Sequence, residues 1–169
     1  MTKRMIRAAT IGLAGSLATL AAPGAAQAAM GPDAAACRGN RPGILVTVSG
    51  FKQRTGNVRV NVYGSDPERF LERGQYVRQI NLPVTRAGPM PICVAVPAAG
   101  RYAVAVRHDL DGNGRSGWSD GGGFSRNPRL SLTNLRPSFE RVAFNVGPNG
   151  SGVNVTLLYR YGLSIRPAG

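Results

Sequence analysis

The stretch RYAVAVR, residues 101–107, decides the fold of this chain. Its tyrosine and two valines lie on one side of an extended backbone and its two alanines lie on the other, because side chains alternate along a strand. Both sides are therefore apolar, which is typical of a strand that is covered on both faces. We expect residues 101–107 to form a central strand of a sheet.

Short runs of alternating apolar residues precede and follow this strand. Each run spans about five to eight residues and is bounded by Gly, Pro or Asn, which is typical of half-buried strands. Seven such strands within about 120 residues predict an all-β chain folded as an antiparallel sandwich, immunoglobulin-like or prealbumin-like. The first apolar positions of the runs are Ile44, Val58, Ile80, Val94, Tyr102, Val142 and Val153.

One segment between the runs has a different pattern. The tetrapeptide Ser65-Asp66-Pro67-Glu68 contains a helix-cap residue, an early proline and a glutamate at the capping-box position, and Gly74 follows as a terminator. We therefore expect a single short helix or turn near residues 66–73.

The first 28 residues have the composition of a secretory signal peptide. Three positive charges within residues 2–7 precede an apolar stretch at 8–22, and a small-x-small pattern ends at Ala28. No twin arginine is present and no cysteine follows the cleavage site, which favours the general secretory route without a lipid anchor. We predict a periplasmic or extracellular protein that is cleaved near Ala28.

The rest of the chain has the length of one domain. Removing the signal peptide lowers the net charge of this 169-residue chain from +13 to +10. No other apolar run approaches the roughly 18–20 residues that span a bilayer, so we expect no transmembrane anchor. We divide the mature chain into a flexible lead-in at 29–42, a sandwich domain at 43–160 and a tail at 161–169.

The two cysteines, Cys37 and Cys93, are expected to pair with each other, because an exported protein folds in an oxidising compartment. In the chain-entropy model, a disulfide that closes a loop of this length contributes about 4 kcal/mol of stability. The alternatives are a metal site or a reactive thiol. A zinc site is disfavoured because the chain has only one histidine to complete the ligand set.

Residues 109–120 follow the spacing of a calcium-binding loop. Oxygen-bearing side chains stand at its first, third and fifth positions, a glycine stands at the sixth and an aspartate at the twelfth. Alternate residues of a tightly turned loop can surround a hard cation only if a glycine permits the bend. A strand precedes the loop, which excludes an EF-hand. The candidate metal ligands are Asp109, Asp111, Asn113, the backbone carbonyl of Arg115, and Asp120.

The same residues can also form a metal-free loop, since Asp-Gly and Asn-Gly pairs build turns in which the side chain bonds its own backbone. Arg107 and Arg115 flank the loop and disfavour a cation, whereas three of the eight acidic residues fall within these twelve positions and favour one. Asp120 also stands where a longer glutamate usually binds through both oxygens. Any affinity for calcium is expected to be weak, about 10⁻⁴–10⁻³ M as in extracellular modules.

The motifs around this loop carry a resemblance. They are Gly100 to Val106, His108-Asp109, Asp111-Gly112-Asn113-Gly114, Gly123-Phe124-Ser125, Pro137-Ser138-Phe139-Glu140 with Ala143-Phe144, and the early strand from Gly56 to Tyr63. Over roughly residues 43–160, the chain resembles the bacterial DUF2141 family. This resemblance implies an exported β-sandwich module and assigns no activity. Two positions depart from the family pattern: Gly117 replaces a usual Asp, and Asp120 a usual Glu.

A hydrolytic function would rest on His108, the only histidine. A catalytic relay needs an acid behind the imidazole and a serine in front of it, but Asp109 points to the opposite face of an extended strand. We therefore expect His108 to bond the loop carboxylates or backbone at the end of its strand. The predicted function is a non-enzymatic accessory or binding domain with no cofactor other than calcium.

The arginine excess suggests an alternative function. Arginine can hold phosphate or carboxylate through two hydrogen bonds, so a basic exported protein suits an anionic envelope component such as lipopolysaccharide or an acidic glycan. The other explanation is a solvated surface that uses arginine instead of lysine. Nucleic acid is disfavoured by the extracytoplasmic address. The loose cluster that would bind a polyanion is Arg126, Arg129, Arg136 and Arg141.

Overall fold

The computed structural model describes residues 28–39 and 41–168. The predicted signal peptide lies outside the described residues, apart from Ala28. Within those residues, no helix is long and apolar enough to cross a membrane. The strands of the described part are β1 (Gly43–Ser49), β2 (Asn57–Tyr63), β3 (Arg78–Pro83), β4 (Met90–Ala95), β5 (Gly100–Asp109), β6 (Gly121–Phe124), β7 (Phe144–Val146), β8 (Ser151–Thr156), β9 (Leu158–Tyr161) and β10 (Ser164–Pro167).

The strands form two sheets. The small sheet has the order β4-β1-β8, and the large sheet has the order β10-β9-β6-β5-β2-β3, with β7 paired to β5. The predicted all-β sandwich is confirmed. The predicted number of seven strands was too low, because β6 and β10 carry no long alternating pattern and because the run that begins at Val153 is divided between β8 and β9.

One pairing in the small sheet departs from the predicted antiparallel arrangement. β1 runs parallel to β8, with Ile44 opposite Ser151, and antiparallel to β4. Parallel strands need a long connection, and here most of the domain lies between the two strands. Patterns in the local sequence indicate strands and short hairpins, and they therefore do not predict the pairing of β1 with β8.

The main core lies between the two sheets. In β2 and β5 the even-numbered side chains face it, including Val60 and Val104, both fully buried. β5 pairs with β2 along one edge and with β6 along the other, so the predicted central position of residues 101–107 is confirmed. Burial of branched aliphatic side chains from both sheets provides the main driving force for this packing.

A second, smaller core covers part of the outer face of the large sheet. Helical structure in the described residues consists of 3₁₀ turns at Ala34–Cys37 and Pro67–Arg69 and of α1 at Phe139–Val142. The turn predicted near residues 66–73 is present, and Asp66 Oδ1 accepts a hydrogen bond from the Glu68 N–H at 3.0 Å. The strand predicted from Val142 begins instead at Phe144. The buried members of this core are Tyr63, Phe70, Ala103, Phe139, Val142 and Ala143.

The segment before β1, predicted as a flexible lead-in, packs against the sandwich. Met30 forms a bridge with Ile92 of β4, and Asp33 forms an ion pair with Arg78 at 2.7 Å. The hydrogen bond from the Arg78 guanidinium lowers the pKa of the Asp33 carboxyl below its ordinary value. At the other end of the chain, the predicted tail contains β10, which pairs with β9.

The predicted disulfide is confirmed. Cys37, in the first 3₁₀ turn, is bonded to Cys93 of β4, with a Cα–Cα distance of 6.0 Å. The bond fastens the segment before β1 to the small sheet and closes a long loop, which restricts the unfolded chain.

Candidate functional site

The candidate site begins on the outward side of β2 and β5, next to the second core. Their antiparallel register places Arg59 opposite Arg107 and Asn57 opposite Asp109. Side chains alternate along each strand, so His108, between Arg107 and Asp109, faces the main core instead. As predicted, the side chains of His108 and Asp109 point to opposite faces of β5. The imidazole is therefore buried in the main core, whereas the Asp109 carboxylate belongs to the loop that follows.

The loop at 109–120 brings three carboxylates together. One ligand oxygen from each of Asp109, Asp111 and Asp120 lies within 4.8 Å of the others. Gly114 has a φ of 77°, a left-handed conformation that glycine adopts without steric cost, and its N–H donates to Asp109 Oδ2 at 2.9 Å. The turn predicted at Gly114 therefore directs its backbone N–H towards the carboxylate of Asp109, the first acidic residue of the loop.

The other loop residues bond one another. Asp111 accepts from the backbone N–H of Asn113 at 3.1 Å and from its side-chain amide at 2.6 Å. Asn113 Oδ1 accepts from the Arg115 backbone N–H at 2.7 Å, and the Asp120 carboxylate accepts from the backbone N–H groups of Leu110 and Gly117. These side-chain-to-backbone bonds are the turns expected of a metal-free loop, and they also hold the carboxylates close together.

Asp109 is the exception within the loop. It is only 3% exposed, and its Oδ1 is buried without a hydrogen-bond partner in the described part of the chain. Its Oδ2 is bonded to Gly114 and lies 3.3 Å from the Arg107 guanidinium. A buried carboxylate oxygen that lacks a partner costs free energy, because it has lost its water without replacement.

This cluster can hold a hard cation. Each carboxylate offers two oxygens, and calcium takes about six to eight oxygen ligands at 2.3–2.6 Å. Among the predicted ligands, the structure unites Asp109, Asp111 and Asp120. Asn113 lies beside Asp111, with its own oxygen engaged by the Arg115 N–H.

The connection between β1 and β2 holds the start of the loop in place. A Cβ atom on Gly56 would lie 1.9 Å from the carbonyl oxygen of Asp109, so only glycine permits this close approach. The adjacent Thr55 hydroxyl donates to the Leu110 carbonyl at 3.1 Å. The position of Asp109 is thus fixed by a segment about fifty residues earlier in the chain.

His108 is fully buried and both of its ring nitrogens are bonded. Nδ1 lies 2.7 Å from the Tyr159 hydroxyl and Nε2 lies 2.8 Å from the Thr55 carbonyl. Since a carbonyl only accepts, Nε2 carries a proton, and in the neutral imidazole the tyrosine hydroxyl then donates to Nδ1. Burial raises the pKa of Tyr159 to about 12. The expected bond to backbone is present, whereas the partner of Nδ1 is Tyr159 and not a loop carboxylate.

The four arginines of the predicted polyanion cluster make separate contacts. Arg126 donates to the Ala143 carbonyl, Arg136 pairs with Glu72, and Arg129 lines a groove with Arg166. Arg141 is exposed on α1. Binding of a polyanion through this set stays a prediction, to be tested by the salt dependence of binding to lipopolysaccharide.

Sequence reasoning missed two arginines, Arg59 and Arg107, that share a cavity with Arg136 of the predicted cluster. Arg59, Arg107 and Arg136 line one cavity of about 300 Å³ on the outer face of the large sheet, beside the acidic loop. The signal available was that Arg59 and Arg107 both take the outward position in their strands. Only the register between β2 and β5 shows that they are neighbours.

A known protein family matches most of the sandwich domain. Residues 46–154, from β1 to β8, match the family described as uncharacterized proteins conserved in bacteria (DUF2141). Neither the curated proteins nor the solved structures gave a match to the chain. The matched region contains the central strand, the acidic loop and the arginine-lined cavity. The chain therefore belongs to the bacterial DUF2141 family, as its motifs at residues 100–125 suggested.

Proposed function

We propose that this protein is an exported, non-enzymatic β-sandwich domain whose loop at 109–120 binds calcium. The observation that carries the proposal is that Asp109, whose carboxylate lies close to those of Asp111 and Asp120, has a buried Oδ1 without a partner among the described residues. A bound cation would supply the missing partner. It would also offset the repulsion between the three carboxylates.

The position of Asp109 supports this assignment more than the acidic cluster alone does. Asp111 is exposed and Asp120 is half-buried, so water can solvate both. Asp109 is held at the end of a central strand, and its second oxygen is already used by the Gly114 N–H and by Arg107. The free oxygen is therefore fixed in advance, which lowers the entropy cost of binding an ion.

The proposed export rests on three features. The first 28 residues have the composition of a signal peptide, the cysteines form a disulfide, and the family is bacterial. Calcium is abundant outside the cytoplasm, where binding modules have dissociation constants of about 10⁻⁴–10⁻³ M. Weak binding at this loop is thus compatible with occupancy in that compartment.

The test is thermal unfolding of the mature chain with increasing calcium. At a calcium concentration about ten times the dissociation constant, linkage gives about 1.4 kcal/mol of stabilisation, or a Tm increase of about 3–6 °C. The double variant Asp109→Asn with Asp111→Asn should lose this increase. Glu68→Gln, which removes an exposed carboxylate outside the loop, should keep it. A wild-type Tm that does not respond to about 10 mM calcium, or an equal response in the double variant, would contradict the proposal.

A further inference from the structure

Two arginines face each other across the central strands of the large sheet. Arg59 of β2 and Arg107 of β5 are directly opposed in the antiparallel register. Directly opposed side chains have Cβ atoms about 4.5–5.5 Å apart, and like charges in this position destabilise the sheet. The neighbouring pairs on the same face oppose no like charges, since Asn61 lies opposite Ala105 and Asn57 lies opposite Asp109. The arginine pair is therefore a local cost that the sandwich itself does not require.

The hydrogen bonding of this pair is incomplete. The Nε atoms of Arg59 and Arg107 are both buried and have no partner in the described part of the chain. Arg107 reaches Ser116 through Nη1 and Asp109 through Nη2. Among the described residues, no carboxylate forms an ion pair with Arg59. A half-buried guanidinium without an anion has lost part of its hydration and gained nothing in exchange.

A cavity of about 300 Å³ opens over this pair. Arg136 adds a third guanidinium at its rim, and Ser116 and Asn61 add polar groups to its lining. Among residues 28–39 and 41–168, two carboxylates pair with these three arginines, Asp109 with Arg107 and Glu72 with Arg136. The cavity therefore has an excess of positive charge. The excess comes from Arg59, which lines the cavity and has no acidic partner among the described residues.

Part of the cavity lining is apolar. This apolar wall includes Leu71, Phe124 and Leu135, and the latter two also line a second groove beside Trp118. Leu71 has a φ of 62°, an unfavourable conformation for a bulky residue, and its carbonyl accepts a hydrogen bond from Arg136. Backbone strain of this kind is retained where the surrounding structure requires it, often at binding sites. Here it places both an apolar wall and an arginine at the cavity.

We propose that this cavity binds a small amphipathic anion, namely a molecule with one phosphate or carboxylate group and an apolar body. The planar guanidinium groups of Arg59 and Arg107 match the oxygens of such a group and offer paired N–H donors. The apolar body lies against Phe124 and Leu135. The site adjoins the calcium loop, because Ser116 of that loop lines the cavity and Arg107 contacts Asp109. Binding of the anion does not require calcium and does not rest on the function proposed above.

The test uses n-octyl phosphate as the probe and isothermal titration calorimetry on the mature chain, in EDTA so that calcium does not contribute. We expect binding that weakens at least about tenfold in Arg59→Gln and in Arg136→Gln, because each removes a charged donor. Arg86→Gln removes the same charge at an exposed position without a contact and should bind as the wild type does. Arg136 is largely exposed, so its substitution leaves the fold intact even if that of Arg59 does not.

Two further probes separate the parts of the ligand. Octyl glucoside, with the same chain and no charge, should not compete, and inorganic phosphate should compete more weakly than octyl phosphate. The proposal is overturned if octyl phosphate does not bind at millimolar concentration, or if Arg59→Gln and Arg136→Gln bind it as tightly as Arg86→Gln. If inorganic phosphate binds as tightly as octyl phosphate, the apolar body is not recognised and that part of the proposal fails. Trp118, the single tryptophan, provides an independent fluorescence signal beside the apolar wall.

Discussion

The inward and outward sides of β2 and β5 differ in how completely their polar atoms are bonded. On the inward side, the Tyr102 hydroxyl donates to the Ala98 carbonyl, and both nitrogens of His108 have partners. On the outward side lie all three buried side-chain atoms without a partner in the described part of the chain. They are Nε of Arg59, Nε of Arg107 and Oδ1 of Asp109.

This difference indicates that the two faces of one pair of strands have different roles, one in stability and the other in binding. A folded domain leaves few buried polar groups without partners, because each costs about 1–3 kcal/mol. The three exceptions here belong to neighbouring residues on one face, next to the arginine-lined cavity and the acidic loop. We interpret the inward side as the scaffold and the outward side as the surface on which the proposed sites are built.

The largest expected effect comes from breaking the inward side at His108. His108→Leu keeps a buried side chain but leaves the Tyr159 hydroxyl and the Thr55 carbonyl without their partner. We expect the free energy of unfolding to fall by about 2–5 kcal/mol, measured by urea denaturation. His108→Gln, whose amide can both donate and accept, should lose less. Equal stability of His108→Leu and the wild type would contradict the structural role of this histidine.

A smaller and pH-dependent effect is expected at Tyr159. Tyr159→Phe removes the donor to His108, and we expect it to cost about 1–3 kcal/mol near neutral pH. Tyrosine in the unfolded chain ionises near pH 10, whereas burial holds the pKa of Tyr159 in the folded protein at about 12. The raised pKa means that the stabilisation is complete below pH 10 and is lost as the pH rises towards 12. Urea denaturation of both proteins between pH 8 and pH 11 should therefore show a gap that narrows only above about pH 10.

The smallest effect, and one of opposite sign, is expected on the outward side. Arg59→Gln removes one member of the opposed arginine pair and should leave the protein equally stable or about 0.2–1 kcal/mol more stable. The measurement is again urea denaturation, without added anions. A loss of more than about 1 kcal/mol would mean that Arg59 supports the fold, and the contrast between the two sides would then disappear.

The predictability of the fold from sequence depended on which strands carry side-chain patterns. The alternating valines of β2 and the two-sided apolar run of β5 were sufficient, because a buried face leaves a direct record in residue type. β6 left no such record, since it is Gly121-Gly122-Gly123-Phe124. Packing requires two of its three glycines instead. A Cβ atom on Gly121 would lie 2.3 Å from the Tyr159 ring, and one on Gly123 would lie 2.6 Å from the Thr156 carbonyl oxygen.

The two candidate sites differ in the same way. Asp109, Asp111 and Asp120 come from one loop, so their spacing along the chain predicts that they meet. Arg59 and Arg107 lie on strands far apart in sequence and become neighbours only through strand register. Local spacing therefore identified the acidic loop, whereas the arginine pair required the tertiary structure.

The parallel pairing of β1 with β8 also has a kinetic consequence. β8 is synthesised about a hundred residues after β1, so the small sheet cannot be completed until nearly the whole chain exists. Contacts between such distant segments slow folding, because a large loop must close before they form. Until then the edge of β1 that pairs with β8 is open, and an open edge can pair with another chain. Late closure of this kind is compatible with the proposed export, in which the chain would cross a membrane unfolded and fold on the far side.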